Sequence, residues 1–367
     1  MRAADIHFDC RHWRGDIPCT PNKLRGKRCP GCDEHDPVST RILIIKLGAL
    51  GDVIRSTPLI TGFRDRHPGA HITWITLSPE ILPKGAVDRV LRFDAAGIFQ
   101  VGRSRFHIAV NLDKDAEACM LLADVHAERK LGFTWKDGHI WPATPAAEHK
   151  LLTGAFDDLS KANTKSYPQE IFEICELPFR GEPYVFEADG ALKDRHAALR
   201  ERAGGKPIVG LNTGCGKRWL TRLWPEEHWV ELIERLRARG CFPVLLGGPD
   251  EDELNLRLHA RTQAYYPGTF PLREFIALTA HCDVIVSAVS MMMHIAIGLR
   301  IPLVLFVNIF NRHEFDLYGK GVIVEPPSGC DCYYGNTCTR ARPCMRDVTV
   351  DRVLEAVIAW LPAGGGS

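Results

Sequence analysis

The sequence predicts an α/β protein built as two Rossmann-like domains facing a cleft, preceded by a small cysteine-rich module. Three observations carry the prediction. Apolar runs of strand length alternate with amphipathic helical stretches, the pattern of parallel sheets covered by helices on both faces. The alternation comes in two blocks, about 41–190 and 205–345, with a Gly-rich step at 202–207 (RAGGKP) between them. At 367 residues the chain is long enough for two packed domains.

Composition excludes other classes. Lys and Arg number 46 against 45 Asp and Glu, a net charge of +1, so no global field favours nucleic acid or an anionic membrane. No apolar stretch approaches the ~18 residues of a membrane span, and the amino terminus lacks the apolar core of a secretory signal. A soluble, cytoplasmic protein is expected, with at most peripheral membrane contact; a homo-oligomer is compatible with the sequence. The final GGGS is set aside as native or appended.

Residues 1–40 come first and show neither helical nor strand periodicity. Their cysteines run C-x8-C-x9-C-x2-C (Cys10, Cys19, Cys29, Cys32), closed by the knuckle Cys29-Pro-Gly-Cys32, with His12 and His35 nearby. Such a segment cannot bury enough apolar surface to fold on that alone, and one ion held by four thiolates would supply the missing stabilisation. Seven basic and six acidic residues nearly cancel, so a nucleic-acid-binding ribbon is disfavoured. In a reducing compartment clustered thiols argue for metal rather than disulfides.

From residue 42 the grammar changes. Residues 42–46 (ILIIK) read as a strand buried on both faces, followed by candidate strands at 71–77, 106–112, 207–211, 242–247, 283–288 and 302–307. Residues 226–239 place Trp229, Leu232, Ile233 and Leu236 on one helical stripe, with Gly240 just past the end. A closing amphipathic helix is predicted over 350–361. The predicted division is a module 1–40, a first Rossmann-like domain 41–200, a second Rossmann-like domain 201–349 and the helix 350–361. Cys119, Cys175, Cys215, Cys241 and Cys282 are scattered and read as small core hydrophobes.

Chemistry belongs in the loops after the strands, at the carboxyl edge of the sheets. The first strand runs into Lys46-Leu-Gly-Ala-Leu-Gly-Asp52, a glycine turn that is neither GxGxxG nor a P-loop. Asp52 there is either a helix N-cap or a general base. After strand 207–211, Asn212-Thr213-Gly214-Cys-Gly-Lys217-Arg218 and Arg222 bring glycines and cations to a helix start, which suits a diphosphate; a solvated basic loop is the alternative. Glu251, after strand 242–247, suits ribose hydroxyls or simply the first turn of a helix. Ser290, Met293 and His294 open the helix after strand 283–288, with His294 a ligand contact or a structural histidine.

Taken together, residues 42–361 resemble glycosyltransferase family 9, the ADP-heptose heptosyltransferases of lipopolysaccharide synthesis. The matching segments are ILIIKLGALGDVIRSTPL, NTGCGKRWLTRLWPEEHW, LLGGPDEDE, DVIVSAVSMMMHIAIGLRIPLVLF and CDCYYGNTCTRARPCMRDVTVDRVLEAV, in family order. The resemblance implies a GT-B fold, an ADP-sugar donor, inversion at the sugar and no metal in the chemical step. It makes Asp52 the general base and Asp113 a second acid–base or acceptor residue of the cleft. It sets Arg222 at the donor diphosphate, Glu251 at the adenosine ribose and His294 in the donor-contacting motif, so that Thr213, Gly214, Lys217, Ser290 and Met293 complete the expected donor site. Where the family has an Asp-Ser/Thr-Gly step this chain has Val289-Ser290-Met291, and its module 1–40 is an addition.

The closing set Cys330, Cys332, Cys338 and Cys344 resembles a family cysteine cluster and the iron-binding finger of the autotransporter heptosyltransferases. Four thiolates without an open position suit structural zinc or iron, expected at each cluster, with free or disulfide-bonded thiols as the alternative. The acceptor is a glycan, a small metabolite or a protein side chain. A non-catalytic GT-B-shaped binding or assembly protein is the competing reading. An epimerase or dehydrogenase is disfavoured, because no GxGxxG and no Tyr-x-x-x-Lys occur.

Overall fold

The computed structural model describes residues 1–362, so the GGGS tail lies outside the described residues. The chain falls into two compact units. The first comprises residues 1–48, 56–151 and 171–182; the second comprises 49–55, 152–170 and the chain from 183 onward. This division differs from the expected break at 200, and it assigns the turn bearing Asp52 to the second unit. Residues 1–39 belong to the first unit.

The first unit holds a six-stranded sheet: β1 (Thr40–Ile45), β2 (Ala70–Thr76), β3 (Arg89–Arg92), β4 (Arg105–Asn111), β5 (His126–Lys136) and β6 (His139–Pro142). Their order is β3-β2-β1-β4-β5-β6. Ile42, Leu43, Ile44 and Ile45 are wholly buried, as expected of a central parallel strand covered on both faces. Leu43, Ile45, Ile75, Phe106 and Leu122 lie in one core cluster. The sheet is parallel, as expected, except at one edge, where β5 and β6 run antiparallel with Lys136 opposite His139. Asp137 and Gly138, both at positive φ, form the two-residue turn that an Asp-Gly pair favours in a hairpin.

The second unit holds β7 (Ile208–Asn212), β8 (Phe242–Leu246), β9 (Val284–Ala288), β10 (Leu303–Phe306) and β11 (Gly321–Val324). They pair in the parallel order β11-β10-β9-β7-β8. All seven strands read from sequence are present within one or two residues; β3, β5, β6 and β11 were not anticipated. Of these, β3, β6 and β11 end a sheet, where a strand needs no continuous apolar run.

Helix Glu226–Ala238 buries Trp229, Leu232, Ile233 and Leu236. Trp229 and Trp224 meet edge-on at 4.9 Å, Phe306 packs 5.2 Å from Trp224, and the Trp224 indole donates to the Val348 carbonyl at 2.9 Å. That contact ties the closing segment to the core. The last helix runs Val350–Ile358, shorter than expected; Val350, Val353, Leu354 and Val357 are buried, and its N-cap Thr349 accepts from the Arg352 amide. Among the described residues no helix is long and apolar enough to cross a membrane.

Candidate active site

Asp52 lies in the first turn of helix Leu50–Ser56, and Arg55 follows one turn later on the same face. The Arg55 guanidinium pairs with Asp52 at 2.8 Å and donates to Glu314 at 2.9 Å, while stacking 3.6 Å over the Tyr167 ring. Tyr334 completes the chain by donating to the other oxygen of Glu314 at 3.0 Å. Burial by itself would depress the guanidinium; the charges of Asp52 and Glu314 more than reverse this, and its pKa is raised. Arg55 is therefore a fixed cation held between two carboxylates.

Gly51 is required by its neighbour. A Cβ there would stand 2.4 Å from Cδ2 of His294, so glycine lets the turn close against that ring. His294 is buried, and its Nδ1 lies 3.3 Å from the Tyr184 hydroxyl. Burial, reinforced by the Arg55 charge, lowers its pKa to about 3, so the imidazole is neutral and packs as a polar spacer.

A second feature opens at the carboxyl ends of β7, β8 and β9. Because β8 and β9 flank β7 on opposite sides, β7 and β9 form a topological switch point, where open α/β sheets bind ligands. A cavity of about 240 Å³ lies there, lined by Asn212, Gly214–Gly216, Gly248–Glu251, Phe275 and Ser290–Met292. Glu251 accepts from the Gly248 amide at 2.8 Å, and a Cβ on Gly214 would stand 2.1 Å from its carboxylate. Glycine at 214 thus makes room for the acid. Asn212 braces the wall, donating to the Gly214 carbonyl at 2.9 Å and to Ser287 at 3.1 Å.

The two features share a helix. Ser290 is the N-cap of Met291–Gly298 and lines the cavity, and His294 sits four residues further on against Gly51. Four residues of helix span about 6 Å.

The remaining site residues fall less simply. Arg222 was expected at a diphosphate. Instead it is buried, with its guanidinium donating to the carbonyls of Trp219 (3.1 Å), Val289 and Cys215, close to the rings of Trp219 and Phe310. Desolvation lowers its pKa, as expected for a cation whose partners are neutral dipoles. Thr213 is buried and donates to Asn255 at 2.7 Å, and Met293 is wholly buried. Neither lines the cavity, whereas Met291 and Met292 do. Lys217 is 82% exposed and pairs with Asp250 at 2.8 Å.

In the first unit, Asp113 was expected as a second acid–base or acceptor group. It is buried, bound by the Lys46 ammonium and the Leu47 amide, and desolvation raises its pKa despite these partners. It braces the end of β1. A cavity of about 1290 Å³ in the same unit is bordered by Arg41, His71, Arg89 and Arg105, near the amino ends of their strands and away from the carboxyl edge.

Sequence reasoning missed Arg55, Glu314, Tyr167, Tyr184 and Tyr334. Only Arg55 carried a signal, an i, i+3 spacing from Asp52; the others lie far away in the chain.

Among the cysteines, Cys330 lies beside Cys344, and Cys332 beside Cys338. The Cys332 amide donates to the Cys330 sulfur at 3.4 Å and Asn308 to the Cys344 sulfur at 3.8 Å. Cys10, Cys19, Cys29 and Cys32 line one small void in the first unit.

Comparison with known proteins identifies the family and the fold. A family model described as glycosyltransferase family 9 (heptosyltransferase) matches residues 100–314. Lipooligosaccharide heptosyltransferase 2 of Haemophilus influenzae is 24% identical over 297 residues, 72% of this chain and 82% of that protein. A family 9 glycosyl transferase of Veillonella parvula superposes with a TM-score of 0.68 at 19% identity, covering 88% of this chain and 97% of its own. The E. coli ADP-heptose lps heptosyltransferase II gives 0.65 at 19% identity, covering 87% and 98%. The iron-containing dodecameric glycosyltransferase TibC of enterotoxigenic E. coli gives 0.54 at 14% identity, covering 88% and 76%. At these identities the superpositions establish the GT-B-type fold of two parallel-sheet units.

Proposed function

The chain belongs to glycosyltransferase family 9, the heptosyltransferases, and from that premise we propose that it transfers a heptose or related sugar from an ADP-sugar to an acceptor hydroxyl, with inversion. The acceptor is a glycan, a metabolite or a protein side chain. Asp52 takes the proton of that hydroxyl as its oxygen attacks the anomeric carbon, and the C–O bond to ADP breaks on the opposite face. Arg55 holds Asp52 in place. The relatives named for ADP-heptose and heptosyl transfer support the donor class.

The observation that carries this reading is the single helix Met291–Gly298, with its start at the glycine-lined cavity and His294 against the residue before Asp52. The cavity takes the nucleotide: Glu251 meets ribose hydroxyls, and the amides at the helix start face the phosphates. Lys217 exchanges Asp250 for the diphosphate and offsets the charge of departing ADP. Arg222 acts indirectly, by fixing the loop backbone at Cys215 and Val289.

Structural zinc or iron at Cys330, Cys332, Cys338 and Cys344 forms part of the proposal. The amide and Asn308 contacts to two of these sulfurs suit thiolates. An ion there would cross-link the segment before the closing helix and take no part in transfer.

The test is ADP release and product mass with purified chain, ADP-heptose and a panel of sugar, metabolite and peptide acceptors. Asp52→Asn should lower turnover by about 10² or more while leaving ADP binding intact. Undiminished turnover would remove Asp52 as base; ADP binding without transfer to any acceptor would favour an assembly role instead.

A further inference from the structure

We propose that the cavity of about 1290 Å³ on the first sheet binds a multivalent oxyanion, a hydrophilic molecule carrying two or more phosphate or carboxylate groups, through Arg41, Arg89 and Arg105. The proposal is independent of the transferase reading, because every residue lining the cavity belongs to the first unit and the cavity lies at the amino ends of its strands.

The argument begins with one face of the sheet. Side chains two apart along a strand share a face. Toward the carboxyl ends this face carries Leu43, Ile45, Ile75 and Ala109, packed with Val101 and Leu121 from helices Ala95–Arg103 and Ala116–Asp124. Toward the amino ends the same alternation brings Arg41, His71 and Thr73, and then His107 and Arg105, onto the floor of the cavity. Arg41 stands opposite His71, and Thr73 opposite Arg89. The face changes from apolar to cationic halfway along the strands, where the helices stop covering it.

The charges on that floor are not balanced within the protein. Two of the three acids of the lining are already neutralised. Asp88 accepts from Arg11 and from the Ile72 amide at 2.8 Å, and Asp16 accepts from Arg14 at 2.7 Å. The third, Glu128, stands to one side on β5. Arg89 donates to the Gln100 amide oxygen, a neutral partner, and among the described residues none of Arg41, Arg89 and Arg105 has a carboxylate partner. Gathered cations without counter-charges repel one another and add nothing to the core, so stability does not account for them. His107 adds a donor. Its Nδ1 accepts from the Arg41 amide at 2.8 Å, so its Nε2 carries the proton.

Size and spacing select the ligand. The cavity exceeds the roughly 300–1,000 Å³ of ordinary small-molecule pockets, so a lone ion would leave it mostly empty. Arg89 on β3 and Arg105 on β4 are three strand spacings apart, about 14 Å, with Arg41 between them on β1. A ligand that meets all three spreads its anionic groups over a comparable distance. Trp13, on the wall contributed by the amino-terminal segment, offers a flat surface to the scaffold joining those groups. Nucleic acid is disfavoured, since three arginines neutralise few phosphates and the whole chain carries only +1.

The experiment is calorimetric titration of full-length protein at low salt, with and without saturating ADP. The probes are tripolyphosphate, an oligogalacturonate, neutral maltohexaose and a thymidine decamer. Tripolyphosphate or the oligogalacturonate should bind, and the tighter of the two identifies phosphate or carboxylate as the preferred group. Maltohexaose should not bind. Arg89→Gln/Arg105→Gln should weaken the preferred anion about tenfold or more; both side chains are exposed, so the fold should persist. Glu128→Gln should tighten it about twofold or more, an effect that a purely structural role would not produce. Absence of binding by both anions, equal affinity in the arginine variant, displacement by ADP, or tighter binding of maltohexaose or the decamer would each overturn the proposal.

Discussion

Arg55→Met removes a charge while keeping most of the side chain's bulk, and so isolates the ion-pair network around Asp52. Glu314 and Arg55 retain 16% and 12% side-chain exposure, and Asp52 retains 34%. Removing one member of a buried pair costs about 3–5 kcal/mol because the other charge is left uncompensated. Glu314 keeps its bond from Tyr334 and some solvent, so about 2–3 kcal/mol is expected from that pair. The more exposed Asp52 pair adds about 0.5 kcal/mol. Urea unfolding of Arg55→Met, Glu314→Gln and the double variant forms a cycle. The double variant should be less destabilised than the sum of the singles by about 1–2 kcal/mol, since a neutral amide in place of the Glu314 carboxylate no longer needs the cation. Turnover should fall about 10²-fold through misplacement of Asp52, with ADP affinity little changed. Additive single effects together with normal turnover would refute the clamp.

Arg222→Ala strips donors from three carbonyls, at about 1–3 kcal/mol for each one left unsatisfied. Calorimetric titration should show ADP bound at least about tenfold more weakly, or 1.4 kcal/mol. Arg222→Lys should rescue little, because one ammonium cannot replace a planar fork; parental ADP affinity in the alanine variant would count against the role. His294 makes the fold acid-sensitive. Its folded pKa, near 3, lies below the ordinary 6.5, so between those values the unfolded chain binds a proton that the folded chain does not. Stability from this group is complete above pH 6.5 and falls with acidification at up to about 1.4 kcal/mol per pH unit. Unfolding of His294→Gln across that window should show a shallower acid dependence than the parent, and an equal slope would exclude His294 as its source.

The fold was legible wherever periodicity was strong. Ile42–Ile45 and the Trp229/Leu236 stripe declared a central strand and an amphipathic helix, because burial on both faces or on one stripe forces a residue pattern. Edge strands such as β3 and β11 were illegible for the converse reason. The Asp-Gly turn between β5 and β6 was present in the sequence, but the polar start of β5 hid the hairpin around it.

The site divides along the same line. The chain order of amino acids determined the glycine turns at 48–51, 214–216 and 247–248, since close backbone approach excludes a Cβ at positions such as 51 and 214, and it determined the grouping of the thiols. Only the tertiary structure decided what each charge does. Local sequence specifies which backbone a segment can adopt, whereas the partner and the dielectric of a charged group depend on residues brought in from far along the chain. Hence Arg222, which reads as an anion ligand, donates to carbonyls; Asp113, which the family resemblance offers as an acid–base or acceptor group, is sealed under Lys46; and Arg55 becomes the link between Asp52 and Glu314, 259 positions away from it in the chain.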